Sequence, residues 1–147
     1  MVVQEMGTIS GISVASNIFL GNLEQFTKKG FLSISKMNKA AKEILVSIGV
    51  PEIDPAMPIV RLNFEDRKIV EIARAMYSKP EVLIIDETTT ALAQKGRTIL
   101  YKIIQKMQKE NRAVLFISHD LEELMEVCNT ITGSGMVILS TPWPKKR

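Results

Sequence analysis

Val82-Leu83-Ile84-Ile85-Asp86-Glu87 is an apolar run that ends in two adjacent carboxylates, and further along Ala113-Val114-Leu115-Phe116-Ile117 runs in the same way into Ser118-His119-Asp120. Each run has the length and composition of a strand buried in a parallel sheet. Between them, residues 94–109 carry Leu100, Ile103, Ile104 and Met107 at helical spacing. Strand, helix and strand at this length predict one right-handed βαβ unit, whose parallel strands bring Asp86, Glu87 and His119 to the same edge of the sheet. Open α/β sheets place ligands at that edge. There Asp86 is suited to hold Mg²⁺ and Glu87 to orient and deprotonate a water, a general-base role typically contributing roughly 10² to 10⁴ in rate. The pairing reads as a nucleotide-hydrolysis site. An Asp-Glu at a strand end serves equally well to cap the next helix or to face solvent, so the surrounding residues must decide. Ser118-His119-Asp120 is not a hydrolase triad, because consecutive residues cannot supply that geometry and no nucleophile elbow is present.

Outward from this unit the pattern becomes helical. Residues 63–78 predict a helix with Ile69, Ile72, Ala73 and Met76 on its buried face, and residues 35–48 another, with Met37, Ala40, Ala41, Ile44, Leu45 and Ile48 forming an apolar stripe that Gly49 ends. Pro51, Pro55 and Pro58 interrupt regular structure between them. A strand remnant at residues 1–4, a short helix near 14–20, a last helix at 120–128 and a hairpin of Thr130–Thr132 with Met136–Leu139 around Gly133-Ser134-Gly135 complete the expectation.

The helix at 63–78 is preceded and opened by Leu62-Asn63-Phe64-Glu65-Asp66-Arg67-Lys68 and continues Ile69-Val70-Glu71-Ile72-Ala73-Arg74-Ala75-Met76. With the strand ending Asp86-Glu87, the threonine loop, the next helix and the strand ending at His119, this order resembles the ATPase domain of ABC transporters: signature loop and helix, Walker B strand, connecting loop, helix, switch histidine. Upstream, Val3-Gln4-Glu5 followed by Ile12-Ser13-Val14-Ala15-Ser16-Asn17-Ile18-Phe19-Leu20-Gly21 resembles the family's Q-loop and the start of its helical subdomain. The wording is most similar to the first ATPase half of the tandem subunits of monosaccharide importers, and the resemblance covers about residues 1–132.

The resemblance implies a partial P-loop NTPase core of the α/β class with parallel strands, plus a mainly helical subdomain. Residues 1–9 would be the Q-loop and strand remnant, 10–78 the helical subdomain ending in the signature helix, 79–132 the Walker B to switch-histidine part of the core, and 133–147 a divergent hairpin and tail. It implies ATP and Mg²⁺ as cofactors, with Asp86 and Gln4 on the metal, Glu87 polarising the attacking water and His119 contacting the γ-phosphate. Asn63, Phe64, Glu65 and Asp66 would form a degenerate signature loop facing the nucleotide held by a second ABC ATPase domain. A membrane permease would be engaged through the helical subdomain, placing the chain in the cytoplasm at the inner face of the cell membrane.

The departures from the family pattern carry expectations of their own. No Gly-x-x-x-x-Gly-Lys-Ser/Thr occurs in the sequence, so the loop whose amides and lysine cradle phosphates is absent. The chain alone is therefore expected to bind ATP weakly or not at all and not to hydrolyse it, and its start close to Gln4 implies an amino-terminally truncated domain. Unpaired strand edges in such a fragment would favour a homodimer or aggregate. In the signature loop Asn63 stands for the usual Ser, and Phe64, Glu65 and Asp66 replace Gly-Gly-Gln; two acids beside a triphosphate add like charge. Thr88 stands where Pro usually follows Asp-Glu, and Ala93 where many members carry an Asp that contacts the other domain. The alternative is a non-catalytic remnant that keeps a permease-binding or dimerisation surface. The short interval between Gln4 and Leu62 leaves no room for the coiled coils of DNA-maintenance relatives.

Composition agrees with an ordinary globular domain: 46% apolar and 24% charged residues, with net charge +3 over 147 residues. Lys28-Lys29 and Lys145-Lys146-Arg147 are short basic clusters that fit solvated faces, and no nucleic-acid signature accompanies them. Cys128 is the single cysteine, which excludes an intrachain disulfide and a cysteine-cluster metal site. It follows Leu121, Leu124 and Met125 and is expected as a small packed residue rather than a nucleophile.

Overall fold

The computed structural model describes residues 7–132 and the backbone of 138–140. The described residues divide into two compact units, one up to Lys79 and the other from Pro80 onward.

The first unit is helical. Helix α1 (Val14–Ile18) opens on Ser13, whose hydroxyl accepts the Ser16 N–H. Its side chains Val14, Ala15, Ile18 and the following Phe19 are fully buried, and Phe19 meets Phe26 and Tyr77 edge-on, with ring centroids 4.6 and 4.9 Å away. Asn17 is also buried, but nothing in it is left over: its amide donates to the Ile9 and Ser13 carbonyls and its Oδ1 accepts the Ile9 N–H. A two-stranded hairpin follows, β1 (Thr27–Lys28) against β2 (Phe31–Leu32), turning through Lys29 and Gly30 at φ 52 and 81°. No alternation of apolar and polar residues marks these strands in the sequence.

Helix α2 (Ile34–Ser47) buries Met37, Ala41 and Leu45 of the expected stripe, with Ile48 just beyond its end, and Gly49 follows at φ 91°. Helix α3 (Phe64–Tyr77) buries Ile69, Ile72 and Ala73 as its spacing predicts, whereas Met76 is only partly covered. Both helices contact α1.

The second unit holds the βαβ. Strand β3 (Val82–Asp86) pairs in parallel with β4 (Ala113–Ile117), Val82 opposite Ala113 and Asp86 opposite Ile117. Helix α4 (Gln94–Lys109) joins them and buries Ile99, Leu100, Ile103, Ile104 and Met107. Burial alternates along both strands, with Leu83, Ile85, Val114 and Phe116 inside and the residues between them more open. One face is therefore packed and the other less covered, which differs from strands buried on both sides.

Helix α5 (Leu121–Val127) ends at Cys128, and β5 (Ile138–Ser140) lies antiparallel on the other side of β4. The turn of the expected hairpin at Gly133-Ser134-Gly135 lies outside the described residues, and so does Gln4. No helix among the described residues is long and apolar enough to cross a membrane.

Candidate functional site

Parallel register sets the geometry of the site. Because Asp86 sits opposite Ile117, the residues after both strands emerge side by side, and the Glu87 N–H extends the ladder by donating to the Ile117 carbonyl at 3.0 Å. The backbone then turns through Glu87 itself, at φ 44 and ψ 22°. For a residue with a Cβ that left-handed conformation costs of order 1 to 2 kcal/mol, and such strain concentrates where a side chain must be aimed. Glu87 Oε1 lies 3.4 Å from Nδ1 of His119. His119 is 69% exposed and Glu87 32%, so as an ion pair the contact is worth little, and both groups stay accessible at the sheet edge.

The threonines that follow hold this turn. Thr88 Oγ1 donates to the Asp86 carbonyl and Thr90 Oγ1 to that of Glu87. Thr89 points inward, 2% exposed, and donates to Glu123 Oε2 at 2.7 Å. Ser118 and Tyr101 also donate to the Glu123 carboxylate. Sequence reasoning missed this group: Glu123 stands among Glu122 and Glu126 in an acid-rich helix, and only its place one residue before the buried Leu124 signals an inward face.

Among the described residues no group of three or more His, Cys, Asp or Glu side chains could hold a metal ion. Asp86 offers one carboxylate at the edge. That donor set fits Mg²⁺ arriving with a polyphosphate, since Mg²⁺ keeps several waters and takes one or two carboxylates plus substrate phosphates.

The structure brings Asp86, Glu87 and His119 together; Asn63, Phe64, Glu65 and Asp66 lie in the helical unit, at the start of α3. Asn63 is the helix N-cap, its Oδ1 accepting the Asp66 N–H at 2.7 Å, so it does for the helix what a serine would do. Phe64 is 48% exposed. Arg67 reaches back to the Leu62 and Val60 carbonyls and closes the preceding turn.

One turn on, Lys68 and Glu71 form a fully enclosed ion pair at 3.0 Å. Glu71 Oε1 also accepts the Gly7 N–H at 2.7 Å, and Arg74 donates to the Gly7 carbonyl at 3.0 Å. Helix α3 thus grips the backbone three residues after Gln4. Nothing local in the sequence marks Lys68 as buried.

Burial pushes the Cys128 thiol up to about 11, with the charge of Glu123 adding to the effect. It remains a protonated thiol near neutral pH, a poor nucleophile.

No family model matches the chain. Curated relatives do. The arabinose import ATP-binding protein AraG of Vibrio parahaemolyticus is 32% identical over 132 residues, which is 90% of this chain and 26% of that protein. The ribose import ATP-binding protein RbsA of Bacillus cereus and the xylose import ATP-binding protein XylG of Brucella abortus are each 34% identical over 129 residues and 88% of this chain, and 26% and 25% of their own lengths. The chain thus spans about a quarter of the length of these relatives.

Among solved structures, cbiO1 of Clostridium perfringens, part of the ABC transporter complex cbiONQ, matches with TM-score 0.64 and 26% identity over 87% of this chain and 49% of its own. The ATP-binding cassette MJ0796, in a dimeric post-hydrolysis state bound to ADP and Pi, matches with TM-score 0.66 and 24% identity over 82% of this chain and 52% of its own.

Proposed function

We propose, for a chain whose sequence and fold are those of an ABC-type ATPase domain, that it is a segment of the ATP-binding subunit of a sugar importer and that Asp86, Glu87 and His119 form its nucleotide edge. The observation that carries this reading is the left-handed turn at Glu87, which aims its carboxylate at His119 across the ends of two parallel strands. Asp86 and Gln4 would hold Mg²⁺. Glu87 would orient and polarise the attacking water, and His119 would contact the γ-phosphate. When bound, Mg-ATP supplies the phosphoryl group to be transferred to water, and the site acts on it by positioning and charge stabilisation.

Asn63–Asp66 would face the nucleotide of a second ATPase domain, and the helical unit would meet the permease on the cytoplasmic side of the membrane. Glu65 and Ala93 favour a second reading, in which the chain does not turn over ATP and acts through its permease or dimer surface.

Calorimetry with Mg-ATP on the 147-residue chain is expected to give weak or no saturable binding. Fusing a relative's phosphate-loop segment ahead of it is expected to create binding and turnover, and Glu87→Gln in that fusion to abolish turnover while sparing binding. Binding without turnover in the unmutated fusion would select the second reading. Turnover unchanged by Glu87→Gln would remove Glu87 from its role, and no binding by the fusion would sink the nucleotide-edge reading and leave the second.

A further inference from the structure

Glu123 is 6% exposed, and its carboxylate is met by three hydroxyls from three other segments. Thr89 donates to Oε2 at 2.7 Å, Ser118 to the same oxygen at 3.2 Å, and Tyr101 to Oε1 at 2.6 Å. Two of these donors flank the candidate site: Thr89 is two residues past Glu87, and Ser118 precedes His119. The third, Tyr101, is on α4, the helix that joins the two strands.

The direction of the network is fixed. Ser118 Oγ accepts the Asp120 N–H at 3.1 Å, so its proton is directed to Glu123. Asp120 caps α5 by accepting the N–H groups of Glu122 and Glu123, which anchors the backbone from which the Glu123 side chain turns inward. Tyr101 is held well above the usual phenol range, first by burial and then by its bond to Glu123, so it stays a donor. A carboxylate satisfied by a single helix would serve that helix alone, whereas this one ties together the turn after β3, the end of β4 and the middle of α4.

We propose that Glu123 is a positioning residue that holds the Glu87 turn and the His119 loop in mutual register, acting through Thr89 and Ser118. The proposal rests on the reading of Glu87 and His119 as the site, but its test uses no nucleotide, so the two can fail separately. His119 is the only histidine, which makes its imidazole resonances an unambiguous reporter in the isotope-labelled 147-residue chain. Amide hydrogen exchange supplies the second readout. The Glu87, Leu92 and Asp120 N–H groups, bonded to Ile117 O, Thr89 O and Ser118 Oγ, report on the two loops, and the Ile85 and Phe116 amides report on the strands.

In Glu123→Gln and in Thr89→Val, exchange at Glu87, Leu92 and Asp120 is expected to rise roughly tenfold or more, with Ile85 and Phe116 changing less than about twofold. The His119 ring signals are expected to shift. Thr89→Ser, which keeps the donor, should restore both readouts. Glu122→Gln and Glu126→Gln, at exposed positions of the same helix, should change neither.

Equal acceleration of all amides would show that Glu123 contributes only to overall stability, and would overturn the proposal. Unchanged loops and an unshifted His119 would overturn it as well. The near-isosteric variants keep the test decisive even if Glu123→Ala does not fold.

Discussion

The two units enclose charge in opposite ways. In the α/β unit the hydroxyls of Thr89, Ser118 and Tyr101 converge on one enclosed carboxylate, that of Glu123. In the helical unit Lys68 and Glu71 bring two opposite charges inside, and the Gly7 N–H donates to Glu71. Hydroxyl networks hold neighbouring loops through short local bonds, and losing one member costs a fraction of the whole. A buried ion pair is closer to all or nothing, because removing one partner leaves a charge in a poor solvent. The site edge is thus held by many modest contacts, and the grip of α3 on the segment after Gln4 by a few strong ones.

The largest effect should come from the ion pair. Lys68→Met keeps the volume and removes the ammonium, so the Glu71 carboxylate stays enclosed, bonded to the Gly7 N–H but without its counter-charge. Breaking a buried pair in this way costs about 3 to 5 kcal/mol. Urea unfolding followed by amide exchange within residues 7–79 should show the loss there. Thr89→Val in the other unit should lower stability by only about 1 to 2 kcal/mol. A loss below about 1 kcal/mol for Lys68→Met would erase the contrast.

Cys128 sharpens the comparison from the other side, because its thiol lies within the field of Glu123. Its pKa is raised from the ordinary 9.0 to about 11, by burial first and Glu123 second. A raised value means that the native state prefers the protonated thiol. The associated stability is fully present below pH 9 and is lost as pH rises through 11. At pH 8, below both values, the thiolate is roughly 100-fold scarcer in the native chain than in the unfolded one. Iodoacetamide, which reacts with the thiolate, should therefore alkylate the native chain more slowly than the urea-unfolded chain by about the same factor. Equal rates would mean that the thiol is neither buried nor near a charge.

How much of this could be read beforehand depends on the range of the forces involved. Strands β3 and β4 and helix α4 were legible, because apolar runs and a strong helical period are local and agree with the tertiary packing. The juxtaposition of Asp86, Glu87 and His119 followed from βαβ handedness and parallel register alone.

The hairpin at Thr27–Leu32 was not legible: its strands are two residues long and exposed, and only the Lys29-Gly30 turn marks it. Lys68 and Glu123 were missed for a different reason. Each sits among other charged or polar residues on an amphipathic helix, and what encloses it arrives from far away in sequence, Gly7 onto Glu71 in one unit and Thr89 onto Glu123 in the other.

The smallest expected effect concerns two helix starts, those of α3 and α4. Asn63 begins α3 with a side-chain cap on the Asp66 N–H. Ala93 begins α4 in an extended conformation with no side-chain cap at all. One helix start therefore carries a side-chain cap and the other does not. Asn63→Ala should cost about 1 kcal/mol and Asn63→Ser almost nothing, since serine caps about as well. Ala93→Asp should raise stability by about 0.3 to 1 kcal/mol, through a negative charge at the positive end of α4. Position 93 is exposed, so the aspartate meets no packing penalty, and thermal unfolding at low salt would register the gain. A neutral or destabilising Ala93→Asp would mean that a charge at the start of α4 is screened by solvent, and that alanine there costs the fold nothing.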